Sequence, residues 1–541
     1  MIPKQAGRTE SLAATVNHDA FFPLKVVNAR RFHLIVAFLC LCTWMKPLVA
    51  AHEVEEAYKR ARALLPGNLR GLVLNETIQT HWIGNQKSFW YKRDSETGVE
   101  YVLVDAETGN RHEAFDHLRL ASAIDATSGP VAETSVDADH LLVTGIKPQA
   151  EELEITLSVD GKTVSCRTVD YSCTESTEPV PKMDELSSPG GQSAVLVRDN
   201  NLWIRSNETH QERQLTFDGE PYFGYGARPE QQRFEELRAG MDRPVPPSAT
   251  HWSPDGGKLI VQRLDERAVL DYPFLELAPE NGGFRPVSYA VRVPLLGDSG
   301  DRKTSNIVID VNSGKLSPVK LRDGFGLDYF VVGNTPVAWS PDGRRAFMLS
   351  SNAGGQTVRL LELILESGET RVLIEEKSAT SVTLNHGVVN PNVRVLGNGS
   401  EAVWFSERDG WGHLYLYDLA SGKLKNRITG GDWLVWDIVH IDESARQVFF
   451  TAAGREPGRD PYYRHLYKAP LDGGAATLLT PENADHEIKV EMSPLLQQVL
   501  AGAPGVDSQA AGSGFFIDTW STVDKAPVTD LRSADDGRLI S

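Results

Sequence analysis

The chain has 541 residues, of which 41% are hydrophobic, with 46 glycines, 30 prolines and four cysteines. Its formal net charge of -18 excludes a nucleic-acid-binding protein, because such proteins need a basic surface. The length suits several average domains or one large repeat domain, and the many glycines and prolines favour a turn-rich, all-β chain.

The N-terminal part has the pattern of an export signal. Arg30-Arg31 precedes the apolar run Phe32–Met45, which is too short for a comfortable membrane span. Small residues at Val49-Ala50-Ala51 offer a cleavage site before His52. We therefore expect residues 1–51 to be an N-terminal extension and signal peptide, and the protein to be periplasmic or extracellular. A membrane anchor formed by the uncleaved apolar run is the alternative.

A short amphipathic helix is predicted over Glu53–Leu65, where apolar residues recur at helical spacing. The pattern then changes to short strands at Phe89–Tyr91 and Glu100–Asp105, and a helical insertion is predicted at Ala114–Ala123. These strands indicate the first of several small sheets.

Two cysteines, Cys166 and Cys173, end strand-like runs on either side of a short turn. In an exported protein we expect a disulfide between them, because the compartment is oxidising. Two free thiols on a hairpin are the alternative. No cluster of cysteine, histidine and acidic residues has metal-ligand spacing, so no metal or other cofactor is predicted.

One turn pattern recurs along the chain. Ser188-Pro189-Gly190-Gly191, Trp252–Gly256 and Trp339–Gly343 each precede a hydrophobic strand, and the last two read Trp-Ser-Pro-Asp-Gly. Proline presets φ, glycine accepts positive φ and aspartate bonds the local backbone, so each is a tight turn. Such turns entering successive strands are typical of a β-propeller. Uneven spacing predicts insertions around Gly219–Pro247 and Ala268–Gly300.

Two tandem four-stranded units follow over Glu401–Pro481, with a period close to that of a propeller blade. His413 and His465 occupy matching positions before Leu-Tyr in the two units, which favours a packing role for both histidines. Trp433 and Trp436 are interpreted as packing between sheets.

These units carry the motifs Ser406–Gly410, His413–Asp418, Arg459–Tyr462 and Arg464–Tyr467. In this order they resemble the propeller of the dipeptidyl peptidase IV family, serine peptidases of the prolyl oligopeptidase group. The resemblance runs from about Tyr58 to about Leu531. It implies an all-β propeller of eight blades over residues 52–531. Residues 532–541 would then begin a linker to a catalytic α/β-hydrolase domain, which the chain lacks.

A nucleophilic serine of this family needs a Gly-x-Ser-x-Gly turn, and none occurs in the sequence. The nearest match, Gly297-Asp298-Ser299-Gly300, is interpreted as a loop. We therefore assign no catalytic serine, acid or histidine, and we expect the chain alone to be inactive.

The resemblance also implies a pair of glutamates that clamps the free amine of a peptide N-terminus. The family's aromatic-Glu-Glu element is absent from Phe217–Gly226, and the candidates are Glu235 and Glu236 in a helix-like stretch. A solvated surface helix is the alternative interpretation of this pair.

Two main hypotheses follow. The chain is the non-catalytic propeller of a split or truncated dipeptidyl peptidase IV-like exopeptidase, which gates access and positions the N-terminus of a peptide. Its partners would be a separate hydrolase domain or a second copy of the chain. Alternatively, it is a stand-alone exported propeller that binds peptides or a protein. A cytosolic scaffold is a third, less favoured hypothesis.

Overall fold

The structure is a computed structural model, and it describes residues 54–65, 74–75, 78–83, 87–95, 98–128, 136–149, 152–159, 162–175, 184–226, 247–279, 283–295, 297–298, 300–327, 335–385, 391–488 and 514–541. The chain divides into two units, Met1–Leu74 and Asn75–Ser541. In the first unit, residues 54–63 are helical, within the predicted helix. No helix among the described residues is long and apolar enough to cross a membrane. The predicted signal segment lies outside the described residues.

The second unit is an all-β propeller, as predicted. Its described residues form eight antiparallel sheets of three to five strands and one separate two-stranded hairpin. The number of blades in the ring stays a prediction. We number the sheets in chain order. Sheet 1 comprises β1 (Thr80–Ile83), β2 (Ser88–Asp94), β3 (Val99–Asp105) and β4 (Arg111–Glu113). Sheet 2 comprises β5 (Val143–Gln149), β6 (Glu152–Val159), β7 (Lys162–Arg167) and β8 (Cys173–Glu175). Sheet 3 comprises β9 (Glu185–Ser187), β10 (Ser193–Arg198), β11 (Asn201–Ser206) and β12 (Glu212–Gln214).

Sheets 4 and 5 each have a divided first strand. Sheet 4 comprises β13 (Phe223–Tyr225), β14 (Thr250–Trp252), β15 (Lys258–Asp265), β18 (Lys303–Asp310) and β19 (Leu316–Pro318). Between β15 and β18 the chain forms the separate hairpin, here called the arm, from β16 (Asp271–Glu276) and β17 (Val287–Arg292). Sheet 5 comprises β20 (Phe325–Gly326), β21 (Ala338–Trp339), β22 (Arg345–Asn352), β23 (Thr357–Ile364) and β24 (Glu369–Lys377). The arm lies in the predicted insertion Ala268–Gly300.

Sheets 6 and 7 contain the predicted tandem units Glu401–Pro481, with the strand Val393–Leu396 lying before them, and sheet 8 follows them. Sheet 6 comprises β25 (Val393–Leu396), β26 (Glu401–Ser406), β27 (His413–Asp418) and β28 (Lys423–Arg427). Sheet 7 comprises β29 (Leu434–Asp442), β30 (Gln447–Ala453), β31 (Arg464–Pro470) and β32 (Thr477–Leu478). Sheet 8 comprises β33 (Asp485–Ile488), β34 (Phe515–Thr522) and β35 (Lys525–Ser533). One helix, His117–Ser128, lies between sheets 1 and 2 and buries Leu120 and Ile124. It overlaps the predicted insertion at Ala114–Ala123.

The two edge strands of a sheet can differ in burial. All three residues of β14 are buried and all three of β4 are exposed, whereas the first strands β9, β20 and β21 have no buried residue. We assign the first strands to the inside of the ring and the last strands to its outside from the propeller arrangement, in which the sheets surround a central channel. Middle strands are apolar on both faces because a sheet packs on each side. In β22, Met348 packs towards sheet 4 and Phe347 towards sheet 6.

Apolar clusters join sheet 1 to 2, and then each sheet to the next from 3 to 8. A further cluster joins sheet 8 back to sheet 1, with Leu531 of β35 among Phe89 and Val104. We call this junction the seam. The Ile540 N–H donates a 2.8 Å hydrogen bond to the Leu531 carbonyl, so residues 532–541, predicted as the start of a linker, fold back onto sheet 8.

The recurring turn forms as its composition predicts. In the Trp252–Gly256 turn, the Ser253 hydroxyl donates to Asp255 at 2.5 Å and accepts from the Lys258 N–H at 2.9 Å. Gly256 has a φ of +69°, a conformation that disfavours other residues. The Trp252 indole N–H donates to the Leu186 carbonyl at 3.1 Å, which places this ring between sheets 3 and 4.

A second repeated motif holds the third strands of sheets 3, 6 and 7. A threonine hydroxyl accepts a hydrogen bond from a leucine N–H. The side chain of the residue before that leucine is also hydrogen-bonded to the threonine. The three sets are Asn201-Leu202 with Thr216, His413-Leu414 with Thr429, and His465-Leu466 with Thr480. His413 and His465 are 1% and 3% exposed, so both are packed inside their sheets.

Candidate functional site

The inner strand of sheet 4 is interrupted at its middle. β13 pairs with the end of β15, and β14 pairs with its beginning. The Ala249 N–H donates a 2.9 Å hydrogen bond to the Gly226 carbonyl, which joins the two halves. The two described ends of this interruption, Gly226 and Ala249, therefore lie side by side on the first strand of sheet 4.

The predicted amine clamp belongs to this intervening segment. Glu235 and Glu236 lie in residues 227–246, outside the described residues. Sheet 5 has the same interruption, because β20 and β21 both pair with β22. Two neighbouring sheets thus have a first strand that is divided into two described parts.

Aromatic rings and arginines cover the start of the interrupted strand. The guanidinium groups of Arg263 and Arg267 both lie over the Phe223 ring, with their central carbons 4.7 and 4.0 Å from its centroid. The Arg292 guanidinium lies 3.7 Å over Tyr222. Each contact is a cation–π interaction that restrains both partners. We call these five residues the arginine–aromatic cluster.

Carboxylates neutralise the exposed side of this cluster. Arg267 binds both oxygens of Asp265, at 2.9 Å from Nε and 2.8 Å from Nη2, and its Nη1 lies 2.6 Å from Glu220. The hydrogen bonds from Arg267 lower the pKa of Asp265 to about 2. The Arg267 cation is thus held by two carboxylates, so the cluster presents fixed rings rather than a free positive charge.

A tyrosine at the end of β13 is fixed in the same way. The Tyr225 hydroxyl donates a 2.6 Å hydrogen bond to Asp218, and Arg263 Nη1 approaches the other oxygen of that carboxylate at 3.5 Å. Burial, and then the bond to Asp218, raises the pKa of Tyr225. The phenol therefore stays protonated and keeps its bond at neutral pH.

The loop between β15 and the arm is held from inside. Glu266 is 3% exposed, and Arg302 Nε binds its carboxylate at 2.8 Å. Arg292 Nη1 lies 2.6, 2.9 and 3.1 Å from the carbonyls of Glu266, Arg267 and Val269. The base of the arm is thus held at the end of β15.

Sequence reasoning missed these arginines. A signal was available in Arg263-Leu264-Asp265-Glu266-Arg267, which spans the end of β15 and places opposite charges close together. Such a pattern favours ion pairs at the end of a strand.

The structure also brings together four ionisable residues from the C-terminal part of the chain. The ligand atoms of Glu482, His486 and Asp518 lie within 4.8 Å of one another, and His486 and Asp518 are fully buried. Such a set could hold a metal ion. However, the Arg532 guanidinium lies 2.8 Å from Glu482 and 2.9 Å from Asp518. It already supplies the positive charge, so the donor set does not fit a metal.

The hydrogen bonds of His486 also argue against a metal ion in this group. His486 Nδ1 lies 2.8 Å from the Asp518 carboxylate, and Nε2 lies 3.2 Å from the Glu482 carbonyl. Both neighbours are acceptors, so both ring nitrogens are used for hydrogen bonding and neither is left as a ligand. Burial opposes ionisation of Glu482, but the bond from Arg532 overcomes it and lowers the pKa of that carboxyl. The group is a buried ion-pair network of sheet 8.

The two cysteines singled out in the sequence lie opposite each other on β7 and β8. Cys166 and Cys173 are joined by a disulfide with an S–S distance of 2.08 Å. Cys166 is fully buried in the cluster between sheets 1 and 2.

Comparison with known proteins gives the same architecture. The family model for the dipeptidyl peptidase IV (DPP IV) N-terminal region matches residues 157–508. A probable dipeptidyl peptidase 4 of Aspergillus fumigatus is 26% identical over 288 residues, 52% of this chain and 35% of the relative. A probable dipeptidyl-aminopeptidase B of Uncinocarpus reesii is 26% identical over 305 residues, 53% of this chain and 31% of the relative. The matches thus span about a third of the length of these relatives.

Two solved structures share the fold. The dipeptidyl peptidase 4 of Porphyromonas gingivalis superposes with a TM-score of 0.53 at 17% identity, over 86% of this chain and 59% of that one. A putative dipeptidyl aminopeptidase IV of Bacteroides ovatus gives a TM-score of 0.57 at 18% identity, over 88% and 61%.

Proposed function

Since the chain belongs to the family of dipeptidyl peptidase IV N-terminal regions, we propose that it is the substrate-positioning propeller of a dipeptidyl peptidase IV-like exopeptidase. It gates access and holds the N-terminus of a peptide. The serine, acid and histidine that cleave the peptide are supplied by an α/β-hydrolase domain. This division of labour agrees with the absence of a Gly-x-Ser-x-Gly turn from the sequence.

One observation carries the proposal. The segment with Glu235 and Glu236 begins and ends on the inner strand of sheet 4, where the Ala249–Gly226 hydrogen bond joins its two ends. A pair of carboxylates in a segment whose two ends lie on this strand suits an ammonium group that enters the ring, because charge-assisted hydrogen bonds to a peptide amine are strong and selective.

The first test measures binding of a peptide with a free N-terminus to the full chain. An Ala-Pro peptide labelled at its C-terminus is titrated by fluorescence anisotropy beside its N-acetylated form. We expect the free amine to bind about tenfold more tightly, and Glu235→Gln with Glu236→Gln to remove that preference. Glu55→Gln with Glu56→Gln, a paired change on the described helix, should leave it intact. Equal binding of both peptides would contradict the clamp.

The second candidate, a propeller that binds without taking part in catalysis, is separated by an activity assay. The chain alone should not cleave an Ala-Pro chromogenic substrate. Addition of a separately expressed hydrolase domain of the family should restore cleavage if the propeller belongs to an exopeptidase. Binding without restoration would favour the stand-alone propeller.

We also propose that the protein is exported, because the pattern of residues 30–51 is that of a signal peptide. N-terminal sequencing of the mature protein should begin near His52. An intact N-terminus in the membrane fraction would instead support the anchor.

A further inference from the structure

A cavity of about 540 Å³ lies between sheets 4 and 5, on the side of sheet 5 away from sheet 6. Its volume is within the range of small-molecule sites. Apolar residues and cations share its wall. The lining includes Arg322, Phe325, Ser350, Arg359, Leu361 and Val372.

The arginine at its centre stands where the sheet is otherwise apolar. On β23, Leu361 and Leu363 share the face of Arg359 and pack towards sheet 4. Arg359 itself is only 4% exposed, and it lies opposite Ser350 on β22 and Glu375 on β24. A buried cation in an inter-sheet face requires partners.

The described neighbours form hydrogen bonds with only part of the Arg359 guanidinium. Nε and Nη2 both approach the same oxygen of Glu375, at 2.7 and 2.6 Å, and the plane lies 3.7 Å over the Phe325 ring. The other oxygen of Glu375 is taken by Lys377 at 2.8 Å. Nη1 of Arg359 has no hydrogen-bond partner among the described residues. One donor edge of a rigidly held arginine is therefore left for a ligand.

Two further groups point to a ligand. Ser350 is 1% exposed, and its hydroxyl has no hydrogen-bond partner within the described structure. Leaving such a group unpaired is unfavourable unless something else meets it. At the rim, the exposed Arg322 has no ion pair with any described residue and adds a second positive charge.

We propose that this cavity binds a small molecule with one carboxylate on a short apolar body. The carboxylate bonds to the free edge of Arg359 near Ser350, and the body lies against Phe325, Leu361 and Val372. A monoanion fits better than phosphate, because one guanidinium edge and one hydroxyl satisfy few of the oxygens of a dianion. The site shares no residue with the arginine–aromatic cluster or the predicted clamp.

The test titrates the full chain with hexanoate by isothermal titration calorimetry, beside hexanamide and inorganic phosphate. We expect one hexanoate per chain, and about tenfold weaker binding of the uncharged hexanamide, the effect of one charge-assisted hydrogen bond. Phosphate should bind more weakly than hexanoate. No heat at millimolar hexanoate, or preference for phosphate, overturns the proposal.

Two variants locate the binding. Val372→Trp fills the cavity from the outer strand, where Val372 is 48% exposed, and should abolish hexanoate binding without unfolding the protein. Val528→Trp, at a valine 40% exposed on β35, is the matched control and should bind normally. Arg359→Lys keeps the charge but loses the planar fork, and should weaken binding about tenfold. Unchanged binding in Val372→Trp would show that hexanoate binds elsewhere and overturn the site.

Discussion

At the scale of single residues, histidine and asparagine serve the same structural purpose in this protein. His465 and Asn201 occupy equivalent positions before a leucine whose N–H is bound by a threonine hydroxyl. Only the histidine can take up a proton. His465 Nδ1 lies 3.2 Å from the Thr480 carbonyl, and its Nε2 lies 3.5 Å from the Arg459 guanidinium. A second proton on Nε2 would therefore place two positive charges side by side.

This difference predicts a pH dependence of stability. Burial, and then the charges of His486 and Arg459, lowers the pKa of His465 from 6.5 to about 4. The unfolded chain therefore binds a proton more readily, and the stabilisation is complete above pH 6.5 and lost as pH falls towards 4. The loss is about 3 kcal/mol at most.

His465→Asn should flatten the fall in the urea midpoint over this pH range, because asparagine serves at the same position in sheet 3. His112→Asn, at an exposed histidine, is the control. If His465→Asn kept the wild-type pH profile, the histidine would not be the group responsible.

Residue roles that depend on backbone partners could not be predicted. The sequence indicated that His413 and His465 pack, since repeated positions share an environment. The motif Arg459–Tyr462 does not indicate what the Arg459 side chain contacts. In the structure its guanidinium turns inwards to the carbonyls of Pro481 and Glu482, at 2.8 and 3.2 Å. Every residue has a carbonyl, so no sequence pattern marks such an acceptor.

At the scale of elements, predictability followed burial. The strands of sheets 6 and 7 were predicted closely, because they are apolar runs between turn residues. The arm was predicted only as an insertion, because β16 is mostly exposed and has no alternation to reveal a strand. The divided strands of sheets 4 and 5 were missed as well, since two or three residues are too short to form a pattern.

The disulfide between β7 and β8 gives a test at this scale. It closes a short loop, because Cys166 and Cys173 are seven positions apart, so its removal should destabilise the protein by on the order of 2 kcal/mol. Cys166→Ala with Cys173→Ala should lower the urea midpoint. A reducing agent should lower that of the wild type and leave the double variant unchanged. A wild-type midpoint insensitive to reductant would show that the bond contributes nothing measurable.

At the scale of the whole molecule, the seam between sheets 8 and 1 holds the two ends of the ring together. Leu531 is 3% exposed there and packs with Phe89 and Val104. The sequence predicted a closed propeller from its turns. It could not identify the residues of the seam, because strands at opposite ends of a chain share no local pattern.

Leu531→Ala should therefore weaken the whole ring. We expect a loss of about 3 kcal/mol in urea unfolding, through lost burial and a cavity. Amide hydrogen exchange should accelerate in β2 and β3 of sheet 1, across the seam, as well as in β35. Leu539→Ala, at a leucine 53% exposed nearby, should change neither measurement. Unchanged exchange in sheet 1 would mean that the seam does not couple the two ends.

The seam also sets the order of events during synthesis. The contact between Arg111 and Ser541 joins residues 430 positions apart, so the ribosome must make sheet 8 before sheet 1 can meet this neighbour. Until then Phe89 and Val104 face solvent on one side, and the nascent chain needs protection from aggregation. Contacts of such long range form late and slowly. A circular permutant that begins at another inter-sheet loop would keep every sheet. It would change only which two neighbouring sheets are the last to come into contact during synthesis.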